Sequence, residues 1–547
     1  NGEKGWFGWN KDEQLEALLN SRSSPTADYR VNIIPTSFGR RRTENRNQTF
    51  NVLAGFEGEI PGTDLTWDVV ASHGQTTAKT NQFGYTSFQR WRTIMLAPNF
   101  GRNFAVTADN VYGATATCET GLSPLINPED YSQDCRLATT VDLQLENRVR
   151  QYYVEANMHG GPFGLPYGEL LLAAGAHYRE NSIDFHADAS SVEGATFYET
   201  VTGTFPQAST SGTTNVKEIY GELLIPLLND LPFAEALNLE LGYRFSDYAS
   251  VGAVHTYKIN GEYAPFDWLR FRGGYQKASR APNLGELFTA RTQTLQNSAD
   301  GDPCSIDLRT RPFGYGNYSA NPLDPSNPDD VGNPDAAQVR ALCERMMTPE
   351  AVAAYYNDPD RVFPQLGFSV PALETGARAL QEETATTYTI GGVVQSPSDS
   401  PWLSRLNLAV DYYNVTITDG IDLQGPDSVL RQCFSRIFNP SYELNEACQR
   451  IRRDDATGAI ELIEVNYANL GRVETSGIDA NLNWSVRFAD VGVPVPGRVN
   501  ASVDGAYIPA FKTTPDQAVI PLTDYTGSTG GGDVGTQAGP FEWKLLV

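Results

Sequence analysis

Apolar and polar residues alternate with a period of two along much of this chain. From Leu237 to Ser246 every odd position is apolar and every even position is polar or glycine. Successive side chains of a strand point to opposite faces, so such a segment has one apolar side and one polar side. Phe50, Val52, Ala54 and Phe56 alternate with Asn51, Gly55 and Glu57, although Leu53 interrupts the polar side. Leu65, Trp67, Val69 and Ala71 interleave with Thr66, Asp68 and Ser72. The same rhythm returns at Ile219, Leu223 and Ile225, at Tyr257, Ile259 and Tyr263, at Leu269, Phe271 and Tyr275, and at Leu406, Leu408, Val410 and Tyr412. A helix would group apolar residues at i, i+3, i+4 and i+7, which these segments do not.

The pattern predicts strands at 44–59, 65–78, 146–159, 168–184, 215–226, 237–249, 254–264, 268–280, 382–396, 403–418, 470–487, 497–511 and 540–547. Several exceed the usual strand of about five or six residues. The connections alternate too. Tight ones rich in Pro, Gly and Asp fall at 60–64, 160–167, 229–235 and 264–267, and long irregular ones at 79–145, 188–214, 281–381, 419–464 and 512–539. One link, 250–253, is short where the rhythm calls for a long one. Soluble domains rarely hold several such loops. The expected fold is all-β, a large antiparallel transmembrane β-barrel with periplasmic turns, longer outer loops, interfacial aromatics and a polar lumen. Sandwiches, propellers and β-helices share the alternation, but no fixed period of about 40 residues, blade motif or nonapeptide repeat accompanies it here.

Composition narrows the function. The 547 residues carry 41 basic and 66 acidic side chains, a formal charge of −25. Nucleic-acid binding needs a basic face and is excluded as an expectation. No uninterrupted apolar run reaches the roughly 18 residues of a membrane helix; the richest stretch, 219–241, is broken by Pro226, Asn229, Asp230 and Pro232. His73, His159, His177, His186 and His255 form no metal-binding or hydrolytic motif, and the chain has no convincing phosphate loop or nucleophile elbow, so no enzymatic activity is expected. The chain starts at Asn1 without a signal peptide and stops at Val547 within an apparent strand, and is read as a piece of a longer protein.

Six cysteines fall two to a loop. They permit about 15 pairings, and loop membership favours Cys118–Cys135, Cys304–Cys343 and Cys433–Cys448. Such bonds persist in the periplasm or at a cell surface. Phe83, Tyr85, Phe88 and Trp91, together with Phe313, Tyr315 and Tyr318 in the largest loop, are candidate ligand-stacking residues. Asp324, Asp329, Asp330 and Asp335 make an acidic loop that is a candidate Ca²⁺ site, although its spacing misses the EF-hand pattern and no cofactor is otherwise expected. Residues 336–356 have helical composition, a short loop helix pinned by Cys343. Glu218, Glu222, Glu240, Arg270, Arg272 and Arg280 are expected to line the lumen as a charge ladder.

Residues 269–288 (LRFRGGYQKASRAPNLGELF) place Arg280, Pro282, Asn283 and Glu286 directly after a strand, and Glu382-Glu383-Thr384 opens the strand after the largest loop. Asp411 to Ile417, then Gly420-Ile421, and the run Asn469 to Asp479 with Gly471, Glu474 and Gly477 follow in order. In this order and spacing the chain resembles the TonB-dependent outer-membrane receptors. The resemblance implies a barrel of about 22 strands with a plugged lumen, of which the plug, the energy-coupling box and the closing strands lie outside this sequence. It implies a monomer in the outer membrane of a Gram-negative bacterium, in contact with its lipid. It also implies active import, through the inner-membrane TonB complex, of a scarce large ligand caught by the loops. A carbohydrate-like oligomer is favoured over a ferric siderophore or cobalamin. A passive porin or surface-binding barrel is the alternative.

Overall fold

The computed structural model describes residues 13–25, 40–107, 115–123, 130–192, 201, 203–298, 301–305, 334–356, 369–519, 521–528 and 539–547. Thirteen strands form one antiparallel wall. They are β1 (Arg42–Glu59), β2 (Leu65–Thr86), β3 (Thr140–Leu165), β4 (Gly168–His186), β5 (Thr210–Leu231), β6 (Ala234–Tyr248) and β7 (Gly252–Phe266). The wall continues through β8 (Leu269–Arg280), β9 (Glu383–Gln395), β10 (Leu406–Leu423), β11 (Ile460–Arg487), β12 (Arg498–Thr514) and β13 (Trp543–Leu546). Each pairs antiparallel with the next, from β1 to β13.

Among the described residues the buried apolar clusters lie in and beside the long loops. Ile390 is 66 % exposed and Ile219 is 59 % exposed, whereas Phe434 and Ile94 in the loops are fully buried. On the apolar face, rows run Leu172, Ala174, Ala176 on β4, Leu239, Leu241, Tyr243 on β6 and Leu408, Val410, Tyr412 on β10. Tyrosines bound this face toward the long loops: Tyr275 lies 4.9 Å from Tyr388 and 5.9 Å from Tyr257 between ring centres. Beyond them the same face turns polar, as Tyr178 gives way to Glu180 and Tyr275 to Lys277. At the short turns Phe266 stacks on Trp268 at 5.3 Å, Phe233 meets Phe266 edge-on, and the Trp484 indole donates to the Trp402 carbonyl at 2.6 Å. The strand from Tyr257 to Phe266 covers about 30 Å at ~3.4 Å per residue. Tilted by about 40°, it spans close to the ~25 Å apolar band of an outer-membrane barrel.

All thirteen expected strands are present, but many run further. The ladder of β2 continues to Thr86, β3 begins at Thr140, β5 at Thr210 and β11 at Ile460, so the connections expected at 79–145, 188–214 and 419–464 are shorter than the alternation indicated. They are not irregular throughout either. Phe88–Leu96 is a helix, Arg102–Val106 pairs with Ala116–Thr120, and a helix at Gln133–Thr139 carries Cys135. Ile94, Met95, Phe100, Leu122 and Cys118 pack there into a small core.

The loops after β8 and β10 make a larger one. Ser369–Thr375 pairs antiparallel with Thr292–Asn297, and its Ala372–Thr375 pairs parallel with Ile463–Asn466 of β11, extending the wall outward. Around it lie the helices Ala336–Arg345, Pro349–Tyr356 and Pro426–Phe434, with Val339, Leu342, Val370, Leu430, Phe434 and Ile463 fully or almost fully buried. The expected helical stretch 336–356 is thus two helices, the first holding Cys343. Cys118–Cys135, Cys304–Cys343 and Cys433–Cys448 are all bonded.

Candidate functional site

The polar face of the wall is cross-linked strand to strand. Register places Glu218, Glu222, Glu240, Arg270, Arg272 and Arg280 on this face. Lys258 Nζ bridges Glu222 at 3.1 Å and Glu240 at 2.6 Å, and Arg270 Nε lies 3.5 Å from Glu262. Several contacts skip a strand, and a glycine makes each possible. Gly391 stands between Arg272 and Asp411, and Arg272 Nε and Nη2 reach over it to the carboxylate at 2.7 and 2.6 Å. Gly175 stands between Asn157 and Tyr220 in the same way, and the Tyr220 hydroxyl donates to Asn157 and to Glu155, the latter at 2.9 Å. A Cβ at either glycine would overlap the spanning side chain or its partner.

Arg280 closes this face at the long-loop end. Four of its hydrogen bonds go to two carboxylates: Nη1 and Nη2 donate to Glu286 at 3.0 and 2.9 Å, and Nε and Nη2 donate to Glu383, the latter at 2.8 Å. Glu286 also belongs to a capping box, accepting from the Asn283 amide at 2.7 Å while its own amide donates to Asn283 Oδ1 at 3.0 Å. Pro282, with no N–H to satisfy, precedes that cap. Glu383 further accepts from the Ile421 amide of β10 at 2.7 Å. The motif ties β8, the start of the largest loop, β9 and β10 together.

The run after Asn469 works similarly. The Asn469 carboxamide donates to the carbonyls of Gln381 and Asp419, both at 2.9 Å, and accepts from the Gln381 amide at 2.8 Å. Gly471 and Gly420 bring two backbones together with no room for a side chain. Glu474 accepts from Arg472 Nε at 2.7 Å, and Gly477 makes way for the Tyr413 ring.

The candidate aromatics divide between different surroundings. Phe83 and Tyr85 stand on β2 rather than in a loop, under the guanidinium groups of Arg42 at 4.7 Å and Arg41 at 4.6 Å. Tyr85 packs with Val141, Leu143 and Val201, while Trp91 stacks on Phe88 at 5.6 Å and packs against the core of the first long loop. Phe313, Tyr315 and Tyr318 lie outside the described residues, as do Asp324, Asp329 and Asp330 of the acidic loop. Asp335 of that loop is held by Arg436 at 3.4 Å. No group of three or more potential metal ligands occurs among the described residues.

Two distant loops are joined by a pair that no spacing reveals. Arg453 Nη1 and Nη2 donate to both oxygens of Asp302 at 2.8 and 2.7 Å, each side chain about 2 % exposed. Arg453 also donates to the Gly458 carbonyl at 2.8 Å, and Asp302 accepts from the Cys304 amide at 2.9 Å. In the first long loop, burial works to raise the Asp134 pKa, but the hydroxyls of Ser132 and Thr117 and the amides of Glu119 and Cys135 outweigh it and hold the carboxyl below its ordinary value. The Asp454 carboxyl is also held low, chiefly by the Thr457 hydroxyl at 2.7 Å and the Thr457 amide at 2.7 Å.

A many-stranded antiparallel wall, apolar outside and cross-linked by polar groups within, with braced loops at one end, defines an outer-membrane β-barrel. The model of the TonB dependent receptor-like β-barrel family matches residues 1–543, and the chain belongs to that family. The family is one of Gram-negative outer-membrane transport receptors, not of enzymes. No curated protein matches the chain. Among solved structures, the siderophore receptor PirA from Acinetobacter baumannii is 12% identical, with 86% of this chain and 48% of that one covered and a TM-score of 0.41. A ferric enterobactin receptor (PfeA) mutant from Pseudomonas aeruginosa is 12% identical, with 85% and 52% covered and a TM-score of 0.38. The RagAB peptide importer is 12% identical, with 87% and 37% covered and a TM-score of 0.41. The chain spans about half the length of the first of these receptors.

Sequence reasoning missed the strand-skipping contacts and the part that Tyr153, Glu155, His177 and Arg179 take in the polar face. Parity alone does not find them, since no polar-face residue was singled out on the strands 146–159 and 168–184; the register with Glu218 and Tyr220 does.

Proposed function

We propose that this chain forms the wall and capture loops of an energy-coupled importer for a scarce, large, carbohydrate-like ligand. The observation that carries the proposal is the polar face, read as the lumen lining: carboxylates, amides and phenols are held in fixed positions by cross-strand bonds, a surface suited to many weak hydrogen bonds with hydroxyl groups. Tyrosine rings among them offer apolar faces with polar edges for sugar rings. Glu218, Glu222, Glu240, Arg270, Arg272 and Arg280 belong to that lining, and Phe83, Tyr85 and Trp91 with the exposed Phe88 stand near its outer end.

Braced loops favour selective capture, since a module that is already folded loses little conformational entropy on binding. The receptor works as a monomer, and its plug and the TonB complex supply the coupling. The test is uptake of labelled maltodextrins, a ferric siderophore and cobalamin by cells carrying or lacking the gene, each with TonB active or deleted. TonB-dependent maltodextrin uptake that vanishes with the gene supports the reading; uptake of maltodextrin unchanged by either deletion overturns it.

A further inference from the structure

The connection between β6 and β7 is the three residues 249–251, while the connections on either side, 187–209 and 281–382, are long. The wall carries its shortest connection at this rim there. Just beneath that rim, on the polar face, lies a cavity of about 350 Å³ lined by His177, Arg179, Glu218, Tyr220, Arg244 and Tyr248. This volume falls in the range of small-ligand sites, about 300–1,000 Å³. The cavity is level with Tyr178 and Tyr243 of the outer tyrosine row, which alternate with its lining residues on β4 and β6. It sits at the mouth rather than deep in the wall.

The acceptors of this cavity are largely occupied. Glu218, 6 % exposed, takes Arg244 Nη1 at 3.2 Å, the Tyr248 hydroxyl at 3.4 Å and the Ser246 hydroxyl, while His177 Nε2 lies 2.5 Å away without hydrogen-bond geometry. Glu222, also in the lining, takes Lys258 Nζ at 3.1 Å, and Glu155 next to the cavity takes the hydroxyls of Tyr153 and Tyr220. A carboxylate with this many donors has little acceptor capacity left. What remains is donor capacity: Arg179 Nε is buried and has no hydrogen-bond partner among the described residues. The Arg244 guanidinium, in the lining of the same cavity, lies over the Tyr220 ring at 4.5 Å.

A guanidinium fork with an unfilled donor matches a carboxylate, which takes two parallel hydrogen bonds from it. We infer that this cavity is a subsite for a carboxylate-bearing sugar, a uronic-acid unit of the imported oligomer, with Arg179 holding the carboxylate and Tyr220 and Tyr248 flanking the ring. In a chain of net charge −25 such a local cation is what allows an acidic ligand to enter. The inference rests on the carbohydrate reading above and narrows it.

The experiment titrates the complete, detergent-purified receptor with trigalacturonate and with maltotriose by calorimetry, for wild type, Arg179→Gln and Arg179→Lys. Intact disulfides and heat-modifiable gel migration check that each variant is folded. The expected result is trigalacturonate binding at least 10-fold tighter than maltotriose, weakened at least 10-fold by Arg179→Gln and partly restored in Arg179→Lys. Maltotriose binding as tight as trigalacturonate, with Arg179→Gln indifferent, overturns the subsite and leaves the carbohydrate reading standing. Equal loss of both sugars in Arg179→Gln assigns Arg179 to folding and overturns the subsite. Binding of neither sugar by wild type overturns the carbohydrate reading and the subsite with it.

Discussion

Arg272 and Asp411 belong to strands that do not touch, and they are bonded across Gly391 by two hydrogen bonds of 2.7 and 2.6 Å. The pair is half exposed, so its own contribution is small, about 0.5–1 kcal/mol. Its geometry depends on the missing side chain, because a Cβ at Gly391 would meet the Asp411 carboxylate and the Val410 carbonyl. Gly391→Val is expected to lower stability by about 1–3 kcal/mol through overpacking, measured by urea unfolding of the refolded wall in detergent, while Gly392→Ala, whose nearest neighbour is at 3.6 Å, changes little.

The pair Arg453–Asp302 predicts a local failure. Asp302→Ala leaves a guanidinium buried without its partner, which costs about 3–5 kcal/mol. The loops after β8 and β10 are expected to become sensitive to trypsin on intact cells while the wall keeps its heat-modifiable migration. Replacing both partners, Asp302→Leu with Arg453→Met, should restore most of the resistance, because an apolar pair of similar volume removes the unpaired charge.

The turn at Asp454 predicts a pH dependence with a defined sign. Its carboxyl is held below the ordinary value by Thr457, so the folded turn prefers the ionised form. The stabilisation is fully present above the unfolded carboxyl pKa of about 4 and disappears as pH falls through the lowered folded value. Hydrogen-exchange protection of the Ala456 and Thr457 amides, corrected for intrinsic rates, should fall across that window. In Asp454→Asn the protection should be lower at neutral pH and flat with pH.

Much of the wall was legible because one face meets lipid. Leu239, Leu241 and Tyr243 alternate with polar or glycine neighbours only where the two sides of the sheet meet different media. Past the tyrosines the membrane-facing side turns polar, as at Lys79 opposite Glu146, and the ladder of β2 continues with no apolar row to announce it. This is why β2 outruns its expected end and why Phe83 and Tyr85 stand on a strand, whereas the added ends of β3 and β11 carry apolar residues, Val141, Leu143, Ile460, Ile463 and Val465, buried against the loops. The disulfides were legible because each closes within one loop. Arg453 and Asp302 are 151 residues apart, and only folding brings them together.

Depth along the apolar face predicts graded costs. An arginine at the middle of the band costs about 2–4 kcal/mol and near an interface about 0–1 kcal/mol. Leu241→Arg is expected to fall in the first range and Tyr275→Arg in the second, measured by reversible folding into phospholipid bilayers.

The most direct measurement is a nitroxide scan along β9 in bilayers, one label at a time at Thr387, Tyr388, Thr389 and Ile390, read for collision with oxygen and with a water-soluble nickel chelate. Tyr388 and Ile390 should be accessible to oxygen and shielded from nickel, with Thr387 and Thr389 showing the reverse. Uniform accessibility at all four positions, or strong nickel access at Tyr388 and Ile390, would contradict a wall whose apolar rows face the membrane.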